Sequence, residues 1–207
     1  MHTWKIDSGL GGKMGKIFCL MGKSASGKDT IYKMLLSDKQ YKFNKIVPYT
    51  TRPIRENERD GVQYFFTDEE GLRKMQEEGK VIELRSYNTI HGVWHYFTAD
   101  DHQINLETGD YMVIGTPEAY IKLKEYFGEG NVCPIYIELD DGIRLERALN
   151  RERAQEQPKY EEMCRRFLAD AKDFSADNLA KAGITKGFSN DDLDSCVEQI
   201  KKYISSC

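Results

Sequence analysis

Lys16-Ile-Phe-Cys-Leu-Met21 runs directly into Gly22-Lys23-Ser24-Ala25-Ser26-Gly27-Lys28-Asp29-Thr30, and the reading of the whole chain starts there. A short apolar run passes into a loop bounded by two glycines. Helix-forming sequence follows, with Ile31, Met34 and Leu35 at helical spacing. Strand, loop and helix in that order outline a phosphate-binding loop of the pattern G-x4-G-K-S/T. Glycines accept backbone shapes that larger residues resist, so successive N–H groups can converge on one anion. The helix start adds its partial positive charge, and the lysine reaches the outer phosphates. Residues 22–30 are therefore the candidate nucleotide cradle, with Lys28 as its charged member. Asp29 stands where a hydroxyl normally helps to hold magnesium, so a metal would meet Asp29 through water or pass to Thr30. The competing reading is a glycine-serine turn with Asp29 as a helix cap.

A chain of 207 residues is ample for one packed domain. Hydrophobic residues make up 40% and charged residues 31%, the balance of an ordinary water-exposed protein. No apolar run approaches the roughly 18 residues that would span a bilayer, so a cytoplasmic protein without membrane contact is expected. The net charge of −4 gives no support to a broad nucleic-acid surface, and small phosphorylated ligands fit better. Cys19, Cys133, Cys164, Cys196 and Cys207 are scattered and odd in number, which predicts reduced thiols rather than a disulfide framework or a zinc site. Residues 1–13, rich in Gly and Lys, read as a disordered leader or one added for expression, with the domain covering 14–207. Oligomeric state is not legible.

Beyond the loop, the pattern predicts helix over 29–37, strand over 43–47 and an irregular charged segment from Tyr49 that ends in the aromatic strand Tyr64-Phe65-Phe66. Helix is predicted over 68–78, then strands over 80–87 and 93–98, together a small mixed lobe. Strand follows over 111–115, and Thr116-Pro117-Glu118 opens a helix with a hydroxyl cap, a proline in the first turn and an acid near the positive end. Strand 132–139 and helix 141–153, with Leu145, Ala148 and Leu149 on its apolar face, come next. A mobile connection over 154–160, helix 161–177, strand 184–188 and a closing helix bearing Leu193, Val197, Ile200 and Ile204 complete the chain. Strands alternating with helices imply an α/β fold with a parallel sheet covered on both faces. Arg52 and Arg55 could clamp one phosphate, although a charged segment of this kind is also the pattern of a solvated face.

With these residues assembled, the chain resembles the guanylate kinase family from about Lys16 to Ile204. The most specific part is Thr50-Thr51-Arg52, Arg55, Glu58, Gly61, Tyr64 and Phe66, spaced T-T-R-x-x-R-x-x-E-x-x-G-x-x-Y-x-F. The resemblance implies a three-layer P-loop fold with an acceptor-binding lobe over about 48–98 and a lid over about 151–165. It implies ATP and Mg2+ as cofactors and a nucleoside monophosphate as acceptor. Arg52, Arg55, Glu58 and Tyr64 would form the acceptor-phosphate site, completed by Tyr96 and Thr98, and Glu83 would accept hydrogen bonds from guanine. Arg147 and Arg151, with Arg166 returning from beyond the lid, would neutralise the transferred phosphoryl group, and Asn190 would lie near the adenine.

Two departures concern the base. Pro48 stands where the family has a serine that contacts guanine, and proline offers neither hydroxyl nor N–H. Ile114-Gly115-Thr116 replaces an acidic D-x-D segment, so Thr116 reads as a helix cap. Phosphoryl transfer from ATP to GMP is the leading expectation. A kinase of another phosphorylated metabolite, such as a ribose phosphate, and a non-catalytic binding module are the alternatives. The presence of Lys28 and of the lid arginines weighs against the second.

Overall fold

The computed structural model describes residues 14–89 and 91–207, so the expected leader over 1–13 lies outside the described residues. In chain order the strands are β1 Ile17–Gly22, β2 Asn44–Lys45, β3 Tyr49–Thr50, β4 Phe65–Phe66, β5 Val81–Thr89, β6 Gly92–Ala99, β7 Tyr111–Gly115, β8 Val132–Glu138 and β9 Phe188–Ser189. The α-helices are α1 Lys28–Ser37, α2 Glu69–Glu77, α3 Pro117–Phe127, α4 Asp141–Arg153, α5 Tyr160–Asp173, α6 Ala176–Lys181 and α7 Leu193–Ser206. One sheet has the order β2-β7-β1-β8-β9, with β2–β7 and β8–β9 parallel. All six residues of β1 are buried, which is why an uninterrupted apolar run without alternation codes for this strand. The other sheet is mixed, in the order β4-β3-β6-β5, with β3–β4 parallel and β6 antiparallel to both β3 and β5. The expected α/β class with a parallel sheet and a mixed lobe is what the chain adopts.

Packing divides the described chain into two compact units. One comprises residues 14–18, 42–113 and 122–132. Here Leu72, Phe97 and Ala99 form a buried cluster, with Tyr49, Met75, Val81 and Leu84 packed on it. Tyr49 and Phe97 stack with ring centroids 5.0 Å apart. Asp68 caps α2 by accepting from the Gly71 N–H, and Gly79, at φ 68°, stops it. The other unit comprises residues 19–41, 114–121 and 133–207. In it α7 buries Val197, Ile200 and Ile204 as its periodicity predicts, with Cys196 joining them and Leu193 only half-buried. Tyr136 stacks on Phe174 at 5.7 Å. None of the five cysteines forms a disulfide among the described residues.

Four elements differ from the sequence reading, three because a backbone group or cap is bonded outside the expected ladder or helix and one because a charged residue is paired inward. Strand 43–47 shrinks to β2: Val47 gives its N–H to the Gln103 side chain at 2.7 Å and its carbonyl accepts from the same amide at 3.2 Å, leaving nothing for a ladder. Helix 161–177 breaks in two, since Ser175 leaves the helix and its hydroxyl accepts from Asn178 to start α6. The expected strand 184–188 is reduced to β9, because the Ile184 N–H closes the end of α6 on the Leu179 carbonyl. On α4 the inward positions are Arg144, Ala148 and Glu152, while Leu145 is exposed. The i, i+4, i+8 face is correct in period but shifted by one residue, because Arg144 has carboxylate partners inside.

Phe97 is fully buried at the centre of its cluster, so Phe97→Ala should lower unfolding free energy by about 3–5 kcal/mol in urea titration.

Candidate functional site

The loop between β1 and α1 has the backbone that an anion cradle needs. Ala25 sits at φ 62° and Gly27 at φ 91°, the left-handed region where glycine alone is unstrained. A side chain at Gly22 would bring its Cβ within 2.7 Å of Ser26 Oγ, and one at Gly27 within 2.2 Å of Asn190 Nδ2. Both glycines are thus required by close approach as well as by the motif. Asn190, buried after β9, donates one of its two amide N–H groups to the Ser26 carbonyl at 2.7 Å and so helps to hold the loop. Ser26 Oγ is a buried side-chain atom without a hydrogen bond among the described residues.

The side chains of the loop are held from α4 and α5. Lys23 pairs with Asp141 at 3.1 Å. Every polar group of Ser24 has a partner: its N–H donates to Asp170 at 2.7 Å, its carbonyl accepts from Arg144 Nε at 3.0 Å, and its hydroxyl accepts from Arg166 at 3.3 Å. Arg144 is 1% exposed, pairs also with Asp141 and Asp170, and lies over the Phe167 ring at 5.0 Å. The Asp141 carboxyl is held below its ordinary pKa because Lys23 and Arg144 together outweigh burial, the largest single influence, which alone would raise it. Lys28 heads α1 with its ammonium 3.5 Å from Asp29, whose side chain is 69% exposed. Thr30 beside it is exposed too. Arg147 and Arg151 are exposed along α4. Sequence reasoning named these two and missed Arg144 and Asp170, whose only signal was an arginine and an aspartate at inward helical positions.

In the lobe, Arg52 is 3% exposed and fixed bidentately on Glu58 at 2.6 and 2.7 Å, with a further bond to the Pro53 carbonyl. Its guanidinium lies 5.1 Å from the centroid of Tyr64 and 5.4 Å from that of Phe66. Glu58 also accepts from the Arg55 N–H at 3.0 Å, which leaves the exposed Arg55 side chain outward. The T-T-R-x-x-R-x-x-E spacing therefore encodes one object, a buried arginine aimed by its own downstream glutamate. Tyr64, Tyr87 and Tyr96 contact edge to face, with Tyr96 5.6 Å from Tyr64 and 5.8 Å from Tyr87.

Glu83 is buried, accepts from Thr98 at 2.8 Å, and is paired with Arg85 through Nε at 2.9 Å and Nη2 at 3.2 Å. Burial alone would lower the Arg85 pKa, but Glu83 and the surrounding tyrosines raise it, so the guanidinium stays charged. Arg85 is a second residue the sequence reading passed over. Thr116 caps its helix as expected. The Pro48 carbonyl accepts from Phe65, and the Thr116 hydroxyl accepts from Ala119 at the start of α3.

Comparison with known proteins agrees with these features. The sequence model described as Guanylate kinase matches residues 14–111. A guanylate kinase of Caldanaerobacter subterraneus subsp. tengcongensis is 29% identical over 194 residues, covering 93% of this chain and 87% of the relative. One from Mycoplasma mobile is 29% identical over 191 residues, covering 92% of each. Among solved structures, guanylate kinase from Anaplasma phagocytophilum superposes with a TM-score of 0.62 at 21% identity, over 93% of this chain and 86% of that one, a likeness of fold.

Arg52 holds the Glu58 carboxyl below its ordinary pKa of 4.5. A carboxyl lowered on folding adds stability that is complete above the unfolded value and is lost as pH falls through the folded one. Wild type should therefore be more stable than Glu58→Gln at pH 7 in urea titration, and the gap should close below pH 4.5, as protonation makes the two side chains alike.

Proposed function

From its similarity to guanylate kinases, we propose that the chain transfers the γ-phosphoryl group of ATP to GMP, giving ADP and GDP. The observation that carries this reading is the loop of residues 22–28, with left-handed backbone at Ala25 and Gly27 and Lys28 at the helix head. In this reading the amides bind the donor's β- and γ-phosphate oxygens, and Lys28 follows the charge as it moves. Arg52, held rigid by Glu58, takes the acceptor phosphate with Arg55, Tyr64 and Tyr96. Residues of about 48–98 form the acceptor lobe, and about 151–165 the lid.

Arg147 and Arg151, exposed and uncommitted to the loop, are suited to meet the transferred oxygens from α4. Arg166, now on the Ser24 hydroxyl, would exchange that neutral partner for an anionic one, which is the stronger hydrogen bond. Phosphoryl transfer is mainly positioning and charge stabilisation, so neither a protein nucleophile nor a strong base is called for. Among the described residues no group of three or more His, Cys, Asp or Glu could cage a metal. The residues fit an ion carried on the nucleotide, with Asp29 and Thr30 meeting it through water. Bound there, Mg2+ would supply positive charge to the bridging phosphate oxygens.

Lys28→Ala should abolish ADP release in a coupled assay with ATP, Mg2+ and GMP, with the thermal transition unchanged. Substantial turnover by this variant would refute the mechanism. Arg52→Ala should raise the KM for GMP far more than that for ATP.

A further inference from the structure

Ser24 is the third residue of the loop from Gly22 to Lys28, and its N–H is already engaged by an anion. It donates to Asp170 Oδ2 at 2.7 Å, the length of a charge-assisted hydrogen bond. Asp170 lies on α5, far along the chain, with its side chain 16% exposed. One helical turn before it, Arg166 reaches the Ser24 hydroxyl at 3.3 Å, so a single face of α5 holds both groups. Ser24, Arg166 and Asp170 belong to the same compact unit. By contrast, the N–H groups of Ala25, Gly27 and Lys28 donate no hydrogen bond among the described residues.

The loop has other braces. Arg144 Nε holds the Ser24 carbonyl at 3.0 Å, the Asn190 amide holds the Ser26 carbonyl at 2.7 Å, and the Ser26 N–H closes a turn on the Lys23 carbonyl at 3.2 Å. Arg144 keeps Asp141 as an ion-pair partner whether or not Asp170 is charged. What Asp170 adds is a negative charge on an amide of the loop that the proposed function gives to the phosphate oxygens of ATP. An N–H carries one hydrogen, so a phosphate oxygen gains full use of it only when the carboxylate leaves. Two anions held side by side also repel. Lys28 shows the same pattern, with its ammonium 3.5 Å from the Asp29 carboxylate.

Building on the function proposed above, we propose that Asp170 is an internal anion lodged on the phosphate loop, an autoinhibitory contact that ATP displaces as it binds. A ligand whose binding-competent state is a fraction of the population binds more weakly by that fraction. Neutralising a competitor therefore tightens ATP binding, whereas removing a brace loosens the loop and weakens it. The two roles of Asp170 are separated by the sign of the change.

The test is calorimetric titration of the full chain with ATP and with inorganic triphosphate, for wild type and Asp170→Asn. The variant should bind both about fivefold more tightly or better. In the coupled assay its KM for ATP should fall while its KM for GMP stays within about twofold. Tightening below about twofold, or weaker binding, in the folded variant overturns the proposal. Wild type supplies a second measurement, which decides alone should the variant fail to fold. By NMR, a scalar coupling across the hydrogen bond from the Ser24 amide nitrogen to the Asp170 carboxyl carbon should be present in the free chain and vanish at saturating triphosphate. A coupling absent from the free chain, or one that persists at saturation, overturns the proposal. Should neither wild type nor the folded variant bind ATP or triphosphate, the proposed function itself fails, a result distinct from these.

Discussion

Main-chain amides can surround an anion only where the backbone bends in a way that side chains obstruct, and the rest of this molecule accommodates that constraint. Gly22 and Gly27 carry no Cβ because Ser26 Oγ and the Asn190 amide already occupy the space. The loop so formed is polar and strained at Ala25, and it is steadied from several directions. Asn190 takes the carbonyl of Ser26, while Arg144, Asp170 and Arg166 take the three polar groups of Ser24. These groups come from distant parts of the sequence. An unsupported loop would lose much of its preorganisation to backbone entropy before any ligand arrived.

The mixed lobe solves a related problem with side chains. The Arg52 guanidinium is kept from wandering by a bidentate carboxylate, a carbonyl and two aromatic faces. Glu58 accepts from Arg52 and from the Arg55 backbone together, which explains why the two arginines and the glutamate recur at fixed spacing. The pairing of Glu83 with Arg85 follows the same logic with a different consequence. Charge compensation within a sheet face uses up acceptor sites of the buried carboxylate.

Where the sequence reading went astray, hydrogen bonds outside the regular ladders and helices were responsible. Gln103 captured both polar groups of Val47, Ser175 restarted a helix, and the Ile184 N–H closed a helix rather than entering a sheet. Periodicity sees apolar faces and is blind to such competition, because a side chain that bonds one backbone group leaves no trace in the hydrophobic pattern. The α4 face shows the matching limit: its period was legible, but Arg144 counts as polar in any pattern until its partners Asp141 and Asp170 are known.

The sequence alone determined most of the strands and helices, the glycine-bounded loop, the arginine and glutamate spacing of the lobe and the capping role of Thr116. All are local, set by residues within a few positions of one another, and locality is what a one-dimensional pattern records. Only the tertiary structure decided that Arg144 and Asp170 grip Ser24, that Asn190 serves the loop with its amide donor, and that Arg85 occupies Glu83. Burial and charge pairing between separate elements depend on distances that the chain acquires only when its sheets and helices pack.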